Sequence, residues 1–178
     1  MSSDTRDNIV LIGMPGAGKS TVGVLLAKQL AKSFIDTDVV IQTAEHCTLQ
    51  HIVDTRGHLA LREIEERELV DLRVHEHVIA TGGSAVYSDR AMQALRRHGV
   101  IVYLAVDYPV LEARVTNLGS RGIAKAAGQT LEDVYAERVP LYERNAEVTV
   151  NCSNLTQEQT VEAICDDLKA IGIEIPKD

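Results

Sequence analysis

The chain has 178 residues and a mass of 19.4 kDa, enough for one core to bury the surface that a folded domain needs without disulfides or structural metals. Its 18 Lys and Arg against 26 Asp and Glu give a formal charge of −8, and aromatic residues make up 3% with no Trp. That balance repels nucleic-acid backbones and anionic membrane surfaces and supplies few stacking rings, so neither nucleic acid nor membrane is an expected partner and any anionic ligand must be held locally. The polar start MSSDTRDN carries no apolar signal core, and no apolar run is long enough to span a bilayer, which points to a cytoplasmic protein. Cys47, Cys152 and Cys165 match no zinc spacing and are expected as reduced thiols.

In chain order, Asn8 to Gly13 is a short apolar strand that stops at a glycine-rich turn. Lys19 to Lys32 then carries Val22, Leu25, Leu26 and Leu30 at helical spacing. Ser33 to Asp36 is extended, followed by helical stretches through about His46 and from Leu49 to Arg73. Val78 to Thr81 is the next strand, Asp89 to His98 a helix, and Val100 to Val106 a strand apolar enough to be covered on both faces. A helix capped by Asp107 runs from about Pro109 to Asn117 and gives way to a loop with Gly119, Gly122 and Gly128. Leu131 to Asn145 is helical, with Pro140 expected to bend or interrupt it; Val148 to Asn151 is the last strand and Thr156 to Ile171 the last helix. Strands alternating with helices predict an α/β fold around a parallel sheet in a single domain, 1–178.

Gly13-Met14-Pro15-Gly16-Ala17-Gly18-Lys19-Ser20 fits G-x-x-x-x-G-K-[ST] between a strand and a helix, the context that motif requires. Gly13, Gly16, Ala17 and Gly18 bring backbone N–H groups onto phosphate oxygens, and the helix start at Lys19, Ser20 and Thr21 adds its positive dipole end. Lys19 is placed to reach the β- and γ-phosphates, and the Ser20 hydroxyl to ligate Mg²⁺, so a nucleoside triphosphate with magnesium is the expected bound pair. A P-loop alone does not separate a kinase from a nucleotide-regulated module, but the absence of a Thr/Asn-Lys-x-Asp signature disfavours a GTPase. Asp36 and Asp38 follow the second strand, at the end of a parallel sheet where ligands bind; one carboxylate can serve the magnesium shell and the other the attacking hydroxyl. Taken alone, an Asp-x-Asp is more often a helix cap with a solvated neighbour.

With Arg62-Glu63-Ile64-Glu65, Thr81-Gly82-Gly83 and Arg138-Val139-Pro140-Leu141-Tyr142, these motifs occur in the order and spacing of the shikimate kinase family, which the chain resembles from about Asn8 to Val150. The resemblance implies a three-layer, five-stranded parallel sheet of the P-loop, nucleoside monophosphate kinase type, with a substrate-binding segment at about 38–74 and a lid at about 117–129. It further implies ATP-dependent phosphorylation of a hydroxyl on shikimate, in a protein expected as a monomer. Asp38 then contacts the acceptor hydroxyl, Asp36 lies near the magnesium, and Arg62 and Arg138 bind the substrate carboxylate, a pairing that suits arginine's planar fork. Gly82 and Gly83 bring backbone against the substrate, Arg121 acts from the lid and Arg114 stacks on adenine. Without the resemblance, Arg62 reads as an intrahelical partner of Glu65 or Glu66, Arg138 as a surface ion pair, and Arg121 as a solvated loop charge.

The chain departs from the family pattern at Ser84, where a third glycine is usual, at the lid sequence Arg121-Gly122-Ile123-Ala124, and at His58 after Gly57. Ser84 is expected to narrow the pocket or to add a hydrogen bond. These changes leave open a different small hydroxy acid as acceptor, or a nucleotide-binding module without turnover. The remaining histidines, His46, His51, His75, His77 and His98, lack metal-ligand spacing.

Overall fold

A computed structural model describes residues 6–118 and 125–176. Its centre is a five-stranded parallel sheet formed by β1 (Asn8–Ile12), β2 (Ser33–Asp36), β3 (His77–Ala80), β4 (Gly99–Ala105) and β5 (Val148–Asn151), in the order β2-β3-β1-β4-β5. The central strand β1 pairs on both sides, Ile9 with Val78 of β3 and with Val100 of β4. All five of its residues are buried, as are the first six of β4, which is why both read as continuous apolar runs.

Helices α1 (Lys19–Gln29), α2 (Thr37–Glu45), α3 (Leu49–Asp71), α4 (Asp89–His98), α5 (Tyr108–Leu118), α6 (Leu131–Asn145) and α7 (Gln157–Ala170) connect and cover the strands. Because parallel crossovers are right-handed, the reversal of strand order at β1 sends α1 to one face, where it packs with α7. The opposite face takes α3 and α4, giving three layers. Beyond the sheet, Ile41 of α2 and Ile52, Leu61 and Ile64 of α3 form a small second core. The three cysteines are free, Cys152 and Cys165 buried and Cys47 half-buried.

The structure departs from the sequence expectation at three places. Helix α1 ends at Gln29, because Ala31 adopts a left-handed conformation (φ 52) on the way into β2. Helix α3 is two segments joined at Gly57 (φ 84, ψ 166), a conformation that favours glycine. Conversely, α6 runs unbroken through Pro140. A Thr130–Asp133 capping box fixes its start, and Val134, Arg138 and Tyr142 are buried along one face, so packing on both sides of the proline outweighs the lost backbone hydrogen bond.

Candidate active site

The strands β1, β2 and β3 are neighbours and end at one edge of the sheet, where Asp36 of β2 is level with Ala80 of β3 and Ala80 with Leu11 of β1. The segments that follow each strand therefore share one cleft: the glycine loop after β1, Asp36 and Asp38 after β2, and Thr81-Gly82-Gly83 after β3. Two side-chain bonds tie the segments together, Thr81 Oγ1 donating to the Leu11 carbonyl at 2.9 Å and the Gly82 amide donating to Thr37 Oγ1 at 3.2 Å.

In the glycine loop, Gly13, Gly16 and Gly18 all have positive φ. Gly16 is also tightly faced, since a Cβ there would lie 2.9 Å from Val115 Cγ2. Gly18 is the N-cap of α1 and offers no side-chain cap, leaving the first amides of the helix to an anion. The buried Lys19 ammonium folds back over the loop and donates to the carbonyls of Gly13 at 2.7 Å and Met14 at 2.9 Å. Burial lowers its pKa to about 8, against the raising pull of Asp38. Ser20 Oγ donates to Asp36 Oδ2 at 2.5 Å, and Asp36 Oδ1 accepts from the Asp38 amide at 3.0 Å. Asp36 thus does cap a helix, α2, while its other oxygen joins Ser20 in an oxygen pair suited to a hydrated magnesium ion. Gly16, Ala17, Gly18 and Thr21 also line a cavity of about 580 Å³ that reaches Arg114, Leu155 and Thr156. Arg114 Nη2 donates to the Cys152 carbonyl at 3.2 Å.

On the other side of Lys19, the half-buried Asp38 is raised in pKa by burial and by the charge of Asp36, with Lys19 opposing. Gly82 lies between Asp38 and the buried Glu65. A Cβ on Gly82 would stand 2.2 Å from Glu65 Oε1 and 2.9 Å from Asp38 Oδ1, so the backbone there must be bare. Burial also pushes the Glu65 carboxyl up to about 7, with Ser84 Oγ donating to its Oε2 and partly offsetting the rise. Ser84 is buried, and its hydroxyl is spent on Glu65.

Arg138 is the largest fully buried side chain among the described residues, 1% exposed, which rules out the surface ion pair. Its Nε donates to the Tyr87 hydroxyl at 3.2 Å, and it also hydrogen-bonds the Tyr142 hydroxyl. Tyr142 in turn donates to the Gly83 carbonyl at 2.6 Å. A Cβ on Gly83 would come within 2.9 Å of Arg138 Nη1 and 2.8 Å of Pro15 Cδ, so this glycine lets α6 and the glycine loop close on each other. Arg62 does not pair with Glu65 or Glu66. Its guanidinium lies 3.6 Å above the centroid of Tyr87, and its buried Nε has no hydrogen-bond partner among the described residues.

The structure therefore brings together Gly13, Gly16, Ala17, Gly18, Lys19, Ser20, Thr21, Asp36, Asp38, Gly82, Gly83 and Arg138, with Arg62 beside Arg138 and Arg114 at the far end of the P-loop cavity. Arg121 lies outside the described residues. Sequence reasoning missed the part played by Tyr87 and the engagement of Glu65 by Ser84. Tyr87 sits in a single 3-10 turn, Ala85–Tyr87, with no periodic signal to mark it.

A family model of shikimate kinase matches residues 15–169. The shikimate kinase of Pseudomonas aeruginosa strain LESB58 is 36% identical over 167 residues, 92% of this chain and 97% of the relative. The shikimate kinase of Thermodesulfovibrio yellowstonii is 34% identical over 169 residues, 93% of this chain and 96% of its own length. Among solved structures, shikimate kinase from Acinetobacter baumannii in complex with shikimate superposes with a TM-score of 0.84 at 28% identity, covering 96% of this chain and 97% of that one. A family model that spans most of the chain and relatives above 30% identity over nearly their whole length place the chain in the shikimate kinase family, to which it belongs.

Proposed function

We propose that the protein transfers the γ-phosphoryl group of ATP to a hydroxyl of shikimate, giving shikimate 3-phosphate and ADP. The observation that carries the reading is the buried Nε of Arg62, which has no protein partner among the described residues and sits beside Arg138, next to Asp38 and Lys19. A buried guanidinium edge without an acceptor calls for an anion from outside, and a planar carboxylate fits the fork.

Ser20, with Asp36 behind it, would hold a magnesium ion, which would supply positive charge against the charge that builds on the phosphates. Gly13, Gly16, Ala17, Gly18 and Thr21 wrap the phosphates with backbone amides at the uncapped start of α1. Lys19 gives up the Gly13 and Met14 carbonyls for phosphate oxygens. Arg62 and Arg138 hold the acceptor's carboxylate, which fixes the ring so that one hydroxyl faces Asp38 across the bare backbone of Gly82 and Gly83. Asp38, whose raised pKa suits it to take a proton, accepts the hydroxyl hydrogen as the new O–P bond forms and the bond to ADP breaks. Arg114 borders the base in the cavity beyond the loop, and Arg121, on the 117–129 lid, closes over the transferring group.

The test is ADP release by purified protein with ATP, Mg²⁺ and shikimate, against a control without acceptor and against Lys19→Ala. Shikimate-dependent release that the variant lacks is expected. ADP release indifferent to shikimate would overturn the proposal.

A further inference from the structure

The arginine that the proposed function assigns to the acceptor's carboxylate has two acidic neighbours on its own helix. Glu65 and Glu66 follow Arg62 by three and four residues on α3, the spacings at which helical ion pairs form. Neither pairs with it. The turn between β3 and α4, with the first turn of α4, takes both: Ser84 Oγ donates to Glu65, while Ser88 Oγ donates to Glu66 Oε2 at 2.5 Å and Arg90 Nη1 of α4 donates to Glu66 Oε1 at 3.0 Å. The same turn supplies what holds Arg62 instead, the ring of Tyr87, 3.6 Å from its Cζ.

The difference is one of charge. A carboxylate partner would neutralise the guanidinium, whereas an aromatic face attracts it through the ring quadrupole and leaves its charge and its hydrogen-bonding edge for another anion. Tyr87 also reaches the second arginine: its hydroxyl accepts from Arg138 Nε at 3.2 Å, and Arg138 Cζ lies 5.2 Å from the ring centroid. The hydroxyl donates a hydrogen bond to Glu137, and that bond, with the nearby charges of Arg62 and Arg138, holds the carboxyl below its usual range. One side chain thus sets the orientation of two neighbouring cations that would otherwise repel.

We infer that Tyr87 is the positioning residue of the carboxylate site, holding Arg62 by its ring and Arg138 by its hydroxyl so that both guanidinium groups are aimed at one carboxylate ligand. Ser84 and Ser88 serve the same end by withdrawing Glu65 and Glu66 from Arg62. This rests on the reading of Arg62 and Arg138 as carboxylate binders.

Wild type, Tyr87→Phe and Tyr87→Leu are titrated calorimetrically with shikimate and with cyclohexene-1-carboxylate, the ring acid without hydroxyls, and their KM values for shikimate and ATP are compared. Phe keeps the ring and loses the hydroxyl, so binding of both acids weakens by a fewfold; Leu loses both holds and weakens them about tenfold or more, with the KM for ATP within about twofold of wild type. Thermal melts and the unchanged ATP KM show that a variant is folded. Leu binding both acids as tightly as wild type, or raising the KM for ATP in parallel with that for shikimate, would sink the inference. Wild type that binds the stripped acid but not shikimate would instead count against shikimate as acceptor, leaving the comparison of variants on the stripped acid to decide the role of Tyr87.

Discussion

Replacing Glu65 with Gln should stabilise the protein at alkaline pH and abolish part of its pH dependence. Glu65 is 3% exposed, and its folded pKa of about 7 stands above the ordinary 4.5 because burial penalises the charged form. Between those two values the folded state holds more protons than the unfolded chain, so stability falls as pH rises through the window and the full cost is present above pH 7. Each pH unit between the folded and unfolded values is worth about 1.36 kcal/mol, so the full cost is about 3 kcal/mol, most of which accrues between pH 5 and pH 8. Gln does not titrate, and its amide oxygen can still accept from Ser84. Urea unfolding of both proteins at pH 5 and pH 8 isolates the effect of Glu65 and its coupling to Asp38 and Lys19, because the titrating groups distant from it are common to both and cancel in the difference. The stability advantage of Glu65→Gln should grow by about 2 to 3 kcal/mol from pH 5 to pH 8. A difference that is the same at both pH values would refute the argument that Glu65 is a costly buried charge.

Two further substitutions probe the close approaches around the cleft. Gly82→Ala would push a methyl group into Glu65 and Asp38, 2.2 and 2.9 Å away, and kcat/KM with shikimate should fall at least about a hundredfold while ATP affinity changes little; a variant with near-normal turnover would show that the Gly82 backbone is not packed against these carboxylates. Tyr142→Phe leaves the Gly83 carbonyl without its 2.6 Å donor in a buried setting, and denaturant unfolding should show a loss of about 1 to 3 kcal/mol; no loss would mean that another donor replaces the hydroxyl.

The parts of the site that the sequence reveals are those carried by contiguous residues. The glycine loop is eight consecutive residues between two elements of clear period, and the rule that ligands bind at strand ends singles out Asp36 and Asp38 once β2 is recognised. Arg62 and Arg138 required the family resemblance, since local spacing alone favours a helical pair for Arg62 and a surface pair for Arg138, whereas Arg62 lies over Tyr87 and Arg138 is buried. What stayed hidden depends on contacts between distant segments: Ser84 meets Glu65 across 19 residues, and Arg138 meets Tyr87 across 51. The continuity of α6 is a case of the same kind. Pro140 argues locally for a break, and only the burial of Arg138 and Tyr142 on either side of it explains why none occurs.

Ser84 makes the relation between fold and specificity concrete. Its place in the chain, where the family usually has glycine, suggests a side chain that narrows the pocket or adds a hydrogen bond, and its hydroxyl does the second, bonding Glu65 and contributing to that carboxyl's balance between burial and charge. The departure from pattern therefore acts on electrostatics before it acts on shape. Lys19 and Arg138 face Asp38 and Glu65, and Arg62 beside them is held by an aromatic ring rather than by a hydrogen-bonded Glu65 or Glu66. An ion pair between Arg62 and Glu65 would relieve both groups and leave the free protein more stable, at the expense of the charge that an acceptor's carboxylate needs. Keeping them apart, with a serine on one and an aromatic ring on the other, is the arrangement expected where binding has been favoured over stability.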